Sequence, residues 1–259
     1  MKTAVFGVIA TLSIALCAEA EVKTKAIEYK HGDVVLEGWM AWDDAAKEKR
    51  PGVLVIHEWW GHNPYVRKRA EQLASEGFVA FALDMYGKGV LETDFGGAGK
   101  RAGAFKGDRK LMRERARAGL DVLAKDEHVD AKKLAAIGYC FGGTVALELA
   151  RDGADLAAAV SFHGGLETSM PAERGKVKAR LLVCHGADDG FVPAEEVAKF
   201  EDEMRKAGAD WQLVKYSGAV HSFTNADAGN EPAKGVAYNK AADERSWRAM
   251  KTLFEEAFR

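Results

Sequence analysis

Short, nearly all-apolar segments recur along the chain and alternate with amphipathic ones. The apolar segments have the length and composition of buried β-strands. They lie at Val34–Trp42, Val53–His57, Phe78–Leu83, Leu134–Tyr139, Ala157–Phe162, Leu181–His185 and Trp211–Tyr216. Helical periodicity marks segments between most of them, at Tyr65–Glu76, Arg109–Asp126, Thr144–Arg151, Ala194–Ala207 and Lys240–Phe258. This alternation predicts an α/β protein with a mostly parallel central sheet flanked by helices.

The stretch from Gly87 to Lys110 interrupts this alternation. It holds seven glycines and no clear periodicity, which predicts a long loop from Gly87 to Gly107. The overlapping segment from Lys100 to Arg117 has eight Lys or Arg and only two acids. Its apolar positions form a helical stripe at Met112, Ala116, Leu120 and Leu123. This pattern favours a solvated charged helix face over an anion-binding patch.

The amino terminus has the pattern of a secretory leader. Lys2 precedes an apolar stretch from Ala4 to Cys17, and Ala18-Glu19-Ala20 is a small-x-small cleavage sequence. The apolar stretch is shorter than the roughly 20 residues needed to cross a bilayer. The bulky Leu16 before Cys17 disfavours a lipoprotein. We therefore expect cleavage after Ala20 and an exported protein, periplasmic or secreted.

The composition suits one globular domain over residues 21–259. The 259-residue chain is 47% hydrophobic and 29% charged, with a formal net charge of -2. That charge gives no reason to expect a nucleic-acid partner, or a membrane partner after leader cleavage. The expected state is a monomer or small homo-oligomer. Cys140 and Cys184 are the cysteines that remain after cleavage, and their placement favours two reduced thiols.

The most informative motif is a Gly-x-Cys-x-Gly turn that directly follows an apolar segment. It runs from Gly138 through Cys140 to Gly142. The spacing is that of a nucleophile elbow, in which the glycines remove side chains that would clash at a sharp strand-to-helix turn. At a helix N-terminus, Cys140 would have a stabilised thiolate. Taken alone, the motif also fits a buried structural cysteine.

An acid and a histidine follow in the order that an acyl-transfer site needs. Asp189 lies just after a predicted strand, with Asp188 as the nearest competitor for its role. His221 lies just after the next strand. Nucleophile, acid and histidine in this chain order are typical of α/β-hydrolases. The order predicts that Cys140 is the nucleophile, His221 its base and Asp189 the residue that orients His221.

Glu58 also follows a predicted strand. A carboxylate at the same sheet edge as the Cys140 thiol can accept the thiol proton. The alternative is a solvent-facing loop glutamate. The spacing of His57 and His62 does not match the helical metalloprotease motif, and no metal or other cofactor is predicted. Three further histidines are interpreted as structural or exposed: His31, His128 and His163. Trp59 and Trp60 fit either the wall of an apolar acyl pocket or simple packing.

The chain resembles the dienelactone hydrolase family of α/β-hydrolases. The matching motifs are Gly-Tyr-Cys140-Phe-Gly-Gly, Asp189-Gly-Phe-Val-Pro, His221-Ser-Phe and His57-Glu58-Trp-Trp-Gly61. The resemblance implies an α/β-hydrolase fold and an oxyanion hole made by the backbone amides of Trp59 and Phe141. It also implies that Glu58 contacts the resting thiol and helps to deprotonate it when substrate binds.

The chain departs from the family at two expected substrate-binding positions. Where the resemblance implies arginines that bind a substrate carboxylate, this chain has Lys88 and Asn225. Trp60 is a third candidate substrate contact. We expect a cysteine-dependent hydrolase of small esters or lactones, with dienelactone itself disfavoured. The alternatives are a carbohydrate acetyl esterase or peptidase on the same fold, and a non-catalytic protein that binds small acyl compounds.

Overall fold

The computed structural model describes residues 21–45 and 47–259, so the predicted leader and its cleavage point lie outside the described residues. An eight-stranded sheet runs through the molecule in the order β1-β2-β4-β3-β5-β6-β7-β8. The strands are β1 Val22–His31, β2 Val34–Asp43, β3 Arg50–Ile56, β4 Val79–Leu83, β5 Val129–Tyr139, β6 Ala158–Phe162, β7 Arg180–Gly186 and β8 Trp211–Tyr216.

The six strands from β3 to β8 pair in parallel, and β1 and β2 form an antiparallel hairpin at one edge. Sequence analysis did not predict β1, where charged residues interrupt the apolar pattern. The sheet and its flanking helices confirm the predicted α/β class and the α/β-hydrolase fold. Because the strands are parallel, their carboxyl ends meet at one edge, where loops can form a site.

Six helices cover the sheet. They are α1 Pro64–Ser75, α2 Phe95–Gly107, α3 Arg109–Ala124, α4 Phe141–Arg151, α5 Ala194–Ala207 and α6 Lys240–Ala257. Alternate residues of each central strand face opposite sides, so Leu54 and Ile56 of β3 pack in one core and Val53 and Val55 in the other. Helices α1 and α6 cover the second core, and α2 to α5 cover the first.

The prediction of a loop from Gly87 to Gly107 is wrong over its second half, which forms α2. Asp94 caps this helix by accepting a hydrogen bond from the backbone N–H of Gly97 at 3.0 Å. Ala98, Ala102 and Phe105 are buried along one face. The glycines conceal the helical periodicity, and packing of that narrow face overrides their poor helix propensity.

The prediction of a solvated charged face on α3 is also wrong for several of its arginines. Arg113 is buried and pairs with the fully buried Glu148 of α4 at 2.7 Å. Arg109 donates to the Glu167 carbonyl at 2.9 Å, and Arg115 donates to the Met85 carbonyl at 3.0 Å. These acceptors lie far away in sequence, and a buried charge is tolerated when such partners satisfy it.

The helices of the structure lie within residues 21–45 and 47–259. In that part of the chain, no helix combines the length and the apolar composition that crossing a bilayer requires.

Candidate active site

Cys140 occupies a strained turn between β5 and α4, as the sequence motif predicts. Its backbone has φ 53° and ψ -116°, a region that non-glycine residues rarely adopt. A Cβ atom on Gly142 would lie 2.2 Å from the Ile56 carbonyl oxygen, and one on Gly138 would lie 2.0 Å from the Gly142 carbonyl oxygen. Both glycines are therefore required sterically, and the turn presents the half-buried thiol at the edge of the sheet.

The structure brings together the three residues that sequence analysis predicted to act as a unit. His221 Nε2 lies 3.1 Å from Cys140 Sγ, and His221 Nδ1 lies 2.9 Å from Asp189 Oδ2. Asp189 follows β7 and its side chain is fully buried, whereas the competing Asp188 is exposed. The other carboxylate oxygen of Asp189 accepts the Phe191 N–H at 2.9 Å, which fixes the carboxylate toward His221.

The charges around His221 favour its protonated form. Burial alone would lower the pKa of this imidazole, but the Cys140 sulfur and the Asp189 carboxylate outweigh burial and raise the pKa to about 10. A histidine with this pKa can accept a proton from the thiol and hold it at neutral pH. The arrangement thus suits a thiolate and imidazolium pair.

The His57 ring links the Glu58 carbonyl to the backbone of Met85. The Met85 N–H donates to His57 Nε2 at 3.2 Å, so the ring proton is on Nδ1, which donates to the Glu58 carbonyl at 2.5 Å. Burial lowers the pKa of His57 and keeps the ring neutral. Because a trans peptide directs its C=O and N–H to opposite sides, this bond turns the Trp59 N–H away from His57.

One further contact at Trp59 and the position of Phe141 at a helix start bear on the backbone geometry that an oxyanion hole needs. The Tyr86 hydroxyl donates to the Trp59 carbonyl at 3.1 Å, which fixes the next peptide. Phe141 is the first residue of α4, so its N–H has no partner within the helix. Phe141 directly follows Cys140 at the start of α4, and Trp59 follows β3. Their joint role as an oxyanion hole stays a prediction.

Glu58 is buried and both of its carboxylate oxygens are engaged. Asn225 Nδ2 donates to one at 2.7 Å, and Ser222 Oγ donates to the other at 3.2 Å. Burial raises the pKa of Glu58, although Asn225, His221 and Ser222 oppose the shift. The interpretation of Glu58 as a solvent-facing loop residue is thus wrong.

The expected hydrogen bond between Glu58 and the resting thiol is not formed among the described residues. Among the hydrogen bonds of the described residues, Cys140 Sγ pairs with His221 and not with Glu58. The physical reason is that His221 is held beside the sulfur by Asp189, while Ser222 and Asn225 occupy the Glu58 oxygens. Both partners of Glu58, Ser222 and Asn225, belong to the loop that carries His221.

The three candidate substrate-binding residues have different positions. Lys88 Nζ pairs with Glu28 on β1 at 2.8 Å and with Glu37 on β2 at 3.2 Å, so its charge is directed toward the hairpin edge. The expectation that Lys88 faces the substrate is therefore not supported by this geometry. Asn225 faces Glu58, and Trp60 lies at the site opening against Trp59, with ring centroids 5.2 Å apart.

His163, interpreted from the sequence as structural or exposed, is buried and contacts the backbone of Cys140. This contact with the site was not predicted. The Cys140 N–H donates to His163 Nδ1 at 3.1 Å, and His163 Nε2 lies 2.7 Å from Thr224 Oγ1. Burial lowers the pKa of His163 well below its usual value, so the ring stays neutral and can accept this bond. The available signal was its position after β6, at the same sheet edge as Cys140.

The structure describes residues 21–45 and 47–259. Within those ranges, no group of three or more His, Cys, Asp or Glu side chains is arranged to hold a metal ion.

Comparison with known proteins gives a consistent family assignment. A family model described as "Dienelactone hydrolase family" matches residues 36–258. A "Putative carboxymethylenebutenolidase" of Aquifex aeolicus is 32% identical over 205 residues, covering 77% of this chain and 86% of the relative. A solved structure titled "m3DLH" is 43% identical with a TM-score of 0.88, covering 91% of this chain and 98% of that chain.

A second solved structure is described as a dienelactone hydrolase-like promiscuous phosphotriesterase from metagenomic libraries. It is 42% identical with a TM-score of 0.87, and the match covers 91% of this chain and 98% of that chain. The residues matched by the family model, 36–258, include Cys140, Asp189 and His221.

Proposed function

The chain belongs to the dienelactone hydrolase family, and on that basis we propose that it hydrolyses small esters or lactones with Cys140 as the nucleophile. A carboxylic ester hydrolase is the general activity of this family. The observation that supports the finer proposal is the continuous contact from Cys140 Sγ to His221 Nε2 at 3.1 Å and from His221 Nδ1 to Asp189 at 2.9 Å. This is the geometry of an activated nucleophile.

In the proposed reaction, the Cys140 thiolate attacks the carbonyl carbon of the ester. The C=O electron pair moves to oxygen, and the Trp59 and Phe141 amides stabilise the resulting oxyanion. As the tetrahedral intermediate collapses, the bond to the leaving oxygen breaks, and His221 gives that oxygen its proton. The products are the free alcohol and an acyl-thioester on Cys140; for a lactone, the alcohol stays attached to the acyl group.

Deacylation uses the same groups in reverse. Neutral His221, oriented by Asp189, takes a proton from water while the water oxygen attacks the thioester carbonyl. A second oxyanion forms at the Trp59 and Phe141 amides. Its collapse expels the Cys140 sulfur as thiolate, releases the carboxylic acid and leaves the proton on His221. The enzyme then returns to the thiolate and imidazolium state.

Glu58 is proposed to assist proton removal from Cys140 when substrate is present. Its burial, its raised pKa and its bonds to Ser222 and Asn225 support a carboxyl group held ready at the same sheet edge. Replacing Glu58 with Gln keeps the shape and removes the basic oxygen. We expect kcat to fall about tenfold, with a smaller change in KM, in steady-state ester hydrolysis.

A phosphotriester is a second candidate substrate, because a relative 42% identical to this chain is described as a promiscuous phosphotriesterase. The thiolate would attack phosphorus, the P=O oxygen would use the two amides, and an aryl alcohol would leave with the proton from His221. Release of 4-nitrophenol from paraoxon, lost in Cys140→Ala, tests this activity. Release of 4-nitrophenol that persists in Cys140→Ala would exclude Cys140 as the nucleophile for paraoxon.

The main proposal is tested with a substrate panel and the Cys140→Ala variant. The panel contains 4-nitrophenyl esters, aliphatic lactones, acetylated sugars and short peptides. The expected result is turnover of esters and lactones by the wild type and at least a roughly 1000-fold loss in the variant. Turnover of only sugars or peptides would favour the alternative hydrolases, and ligand binding without any turnover would favour a non-catalytic protein.

We also propose that the protein is exported and loses its first twenty residues, on the basis of the leader pattern in the sequence. Its partner would be the small-molecule substrate, and the mature protein would be a monomer or small homo-oligomer. Intact mass of the protein recovered from the periplasm or medium tests cleavage after Ala20. Recovery only from the cytoplasm, at full mass, would contradict export.

A further inference from the structure

The most exposed large apolar side chains of the described residues lie around the candidate active site. Phe95 is 71% exposed and Phe191 is 62% exposed. The Phe95 ring lies 5.8 Å from the Trp59 ring and 5.4 Å from the Trp60 ring. The Phe191 ring lies 5.2 Å from the His221 imidazole. We call these four residues, Trp59, Trp60, Phe95 and Phe191, the aromatic rim.

This concentration of exposed apolar surface is specific to the site. Leu91, 51% exposed, pairs with Gly61 just beyond the two tryptophans, so it extends the same surface. The remaining exposed large apolar residues in the described chain are Val34 and Met170, which are less exposed, at 37% and 41%. Water contact with large apolar side chains is unfavourable, and a bound apolar group would relieve it.

Helix α2 is built so that it can present Phe95 at this position. The helix begins at Phe95, and a Cβ on Gly99 would lie 4.0 Å from the edge of the Trp59 ring. A larger residue at Gly99 would therefore fill the space beside Trp59. The buried face of α2 meets Tyr86 through Phe105, and Tyr86 holds the Trp59 carbonyl. Helix α2, which carries Phe95, therefore contacts the proposed oxyanion hole through Phe105 and Tyr86.

Three basic side chains near these elements have acidic partners, whereas Lys100 of α2 is exposed and has none among the described residues. Lys88 pairs with Glu28, Arg69 pairs with Asp243 at 2.6 Å, and Arg101 pairs with Glu92. Inside the site, Glu58 presents a buried carboxyl group. A substrate carboxylate would enter an apolar opening with a buried acid beneath it. It would lose hydration there, and the His221 imidazolium is already paired with Cys140 and Asp189.

The two sides of the opening correspond to the two parts of an ester. His221 must reach the leaving oxygen to protonate it, so Phe191, beside His221, lies on the side of the alcohol group. Trp59, Trp60 and Phe95 contact one another next to the Trp59 amide, where we expect the acyl group to extend. Aromatic rings on both sides favour flat apolar groups, which gain contact area and edge-to-face geometry.

From these observations we propose that the site selects neutral esters with an aryl or other bulky apolar group and discriminates against esters that carry a carboxylate. Phe95 and Phe191 are the specificity-determining residues. This inference rests on the proposed ester hydrolase activity, and it adds the chemical class of the substrate. It also gives a use to exposed aromatic residues that the reaction itself does not require.

The test uses two substrates that differ in charge and by one methyl group. They are 4-nitrophenyl hydrogen adipate, which is anionic, and its neutral methyl ester, and both release 4-nitrophenol. We expect the neutral ester to have a kcat/KM at least about tenfold higher. Equal values, or a preference for the anion, would overturn the proposal. If neither ester nor any other 4-nitrophenyl ester is hydrolysed, the proposed function itself fails, so the two failures are distinguishable.

Variants locate the source of the preference. Phe95→Ala and Phe191→Ala should each lower kcat/KM about three- to tenfold for 4-nitrophenyl benzoate. For Phe95→Ala, the loss should be larger with benzoate than with acetate, because Phe95 contacts the acyl group. Met170→Ala, which removes an exposed apolar side chain elsewhere, is the matched control and should leave both substrates unchanged. All three residues are exposed, so the variants should fold.

A second copy of the chain is the other possible occupant of the aromatic rim. Sedimentation velocity of wild type and Phe95→Ala distinguishes the two cases. The proposal expects the same mass in solution for both proteins and a change only in selectivity. A wild-type dimer that dissociates in Phe95→Ala, with benzoate and acetate affected equally, would identify the aromatic rim as an interface and overturn the proposal.

Discussion

At the base of the site, Cys140 lies at φ 53° between glycines whose neighbours leave no room for a Cβ atom. At its opening, Phe95 and Phe191 extend into solvent with few contacts. We call the first region, Gly138 to Gly142, the elbow, and compare it with the aromatic rim. Backbone sterics determine the elbow, whereas the aromatic rim depends on individual side chains. Changes to the elbow glycines should therefore lower activity and stability together, whereas changes in the aromatic rim should alter substrate selectivity with little effect on stability.

The first prediction tests the elbow directly with Gly142→Ala. The new Cβ would lie 2.2 Å from the Ile56 carbonyl oxygen, and a backbone atom cannot move aside as a flexible side chain can. We expect the free energy of unfolding to fall by about 3 kcal/mol or more, and kcat to fall at least about 100-fold because Phe141 shifts with its neighbour. Chemical denaturation and ester hydrolysis measure the two effects.

Gly103→Ala is the matched control for that substitution. Gly103 lies in α2, and a Cβ there would have no neighbour within 4 Å. Alanine in an open helical position should raise the free energy of unfolding by about 0.5–1 kcal/mol. If Gly142→Ala proved as harmless as Gly103→Ala, the contrast between the elbow and the rest of the site would be wrong.

The second prediction concerns the charge pairing at the elbow. The Cys140 sulfur is the largest contribution that raises the pKa of His221, which is about 10. In Cys140→Ala we therefore expect the pKa of His221 to fall toward its ordinary value near 6.5, so that the ring loses its proton at lower pH. NMR titration of the His221 ring protons measures this shift. An unchanged pKa would show that Asp189 alone holds the proton.

The third prediction separates strain from chemistry at Cys140. Glycine adopts the observed φ of 53° more readily than alanine or cysteine does. Cys140→Gly should therefore unfold with a free energy about 1 kcal/mol higher than Cys140→Ala, although both variants are inactive. Urea denaturation of the two proteins compares them. A lower stability for the glycine variant would indicate that the surroundings, and not the strained backbone, determine stability at this position.

The smallest expected effect belongs to the opening of the site, with Asn225→Arg. The new guanidinium would add a cation near the substrate, but Glu58 lies within hydrogen-bonding distance of Asn225 and would neutralise part of its charge. We expect kcat/KM for the anionic adipate ester to rise about threefold relative to its neutral methyl ester, a change worth less than about 1.4 kcal/mol. Asn225→Gln, which keeps the amide, is the control. An unchanged ratio would locate selectivity in the aromatic rim alone.

The elbow could be predicted from sequence because its requirement is local. Gly138 and Gly142 are needed by the conformation of Cys140, two residues away on either side. Asp189 and His221 could also be predicted, because each follows a clear apolar strand and parallel strands end at one edge of the sheet. The same logic would have drawn attention to His163, which follows β6, but a single histidine without a motif carries little information.

The opening of the site could not be predicted in the same way. Helix α2 has too many glycines for its helical pattern to be visible in the sequence. It forms because Ala98, Ala102 and Phe105 are buried against residues from distant parts of the chain. The direction of Lys88 depends on Glu28 and Glu37, which belong to a hairpin at the edge of the sheet. The buried arginines of α3 likewise depend on partners from other elements. Such long-range contacts leave no periodic signal in the sequence.

The central claim is that hydrolysis proceeds through an acyl-thioester on Cys140. The direct measurement is intact-protein mass spectrometry within seconds of mixing the reduced protein with 4-nitrophenyl acetate, followed by peptide mapping. We predict one acetyl group on Cys140 of the wild type, none on Cys184, and none on the Cys140→Ala variant, while 4-nitrophenol release continues. Steady release from the variant, or an acetyl group on another residue of a turning-over wild type, would contradict the claim.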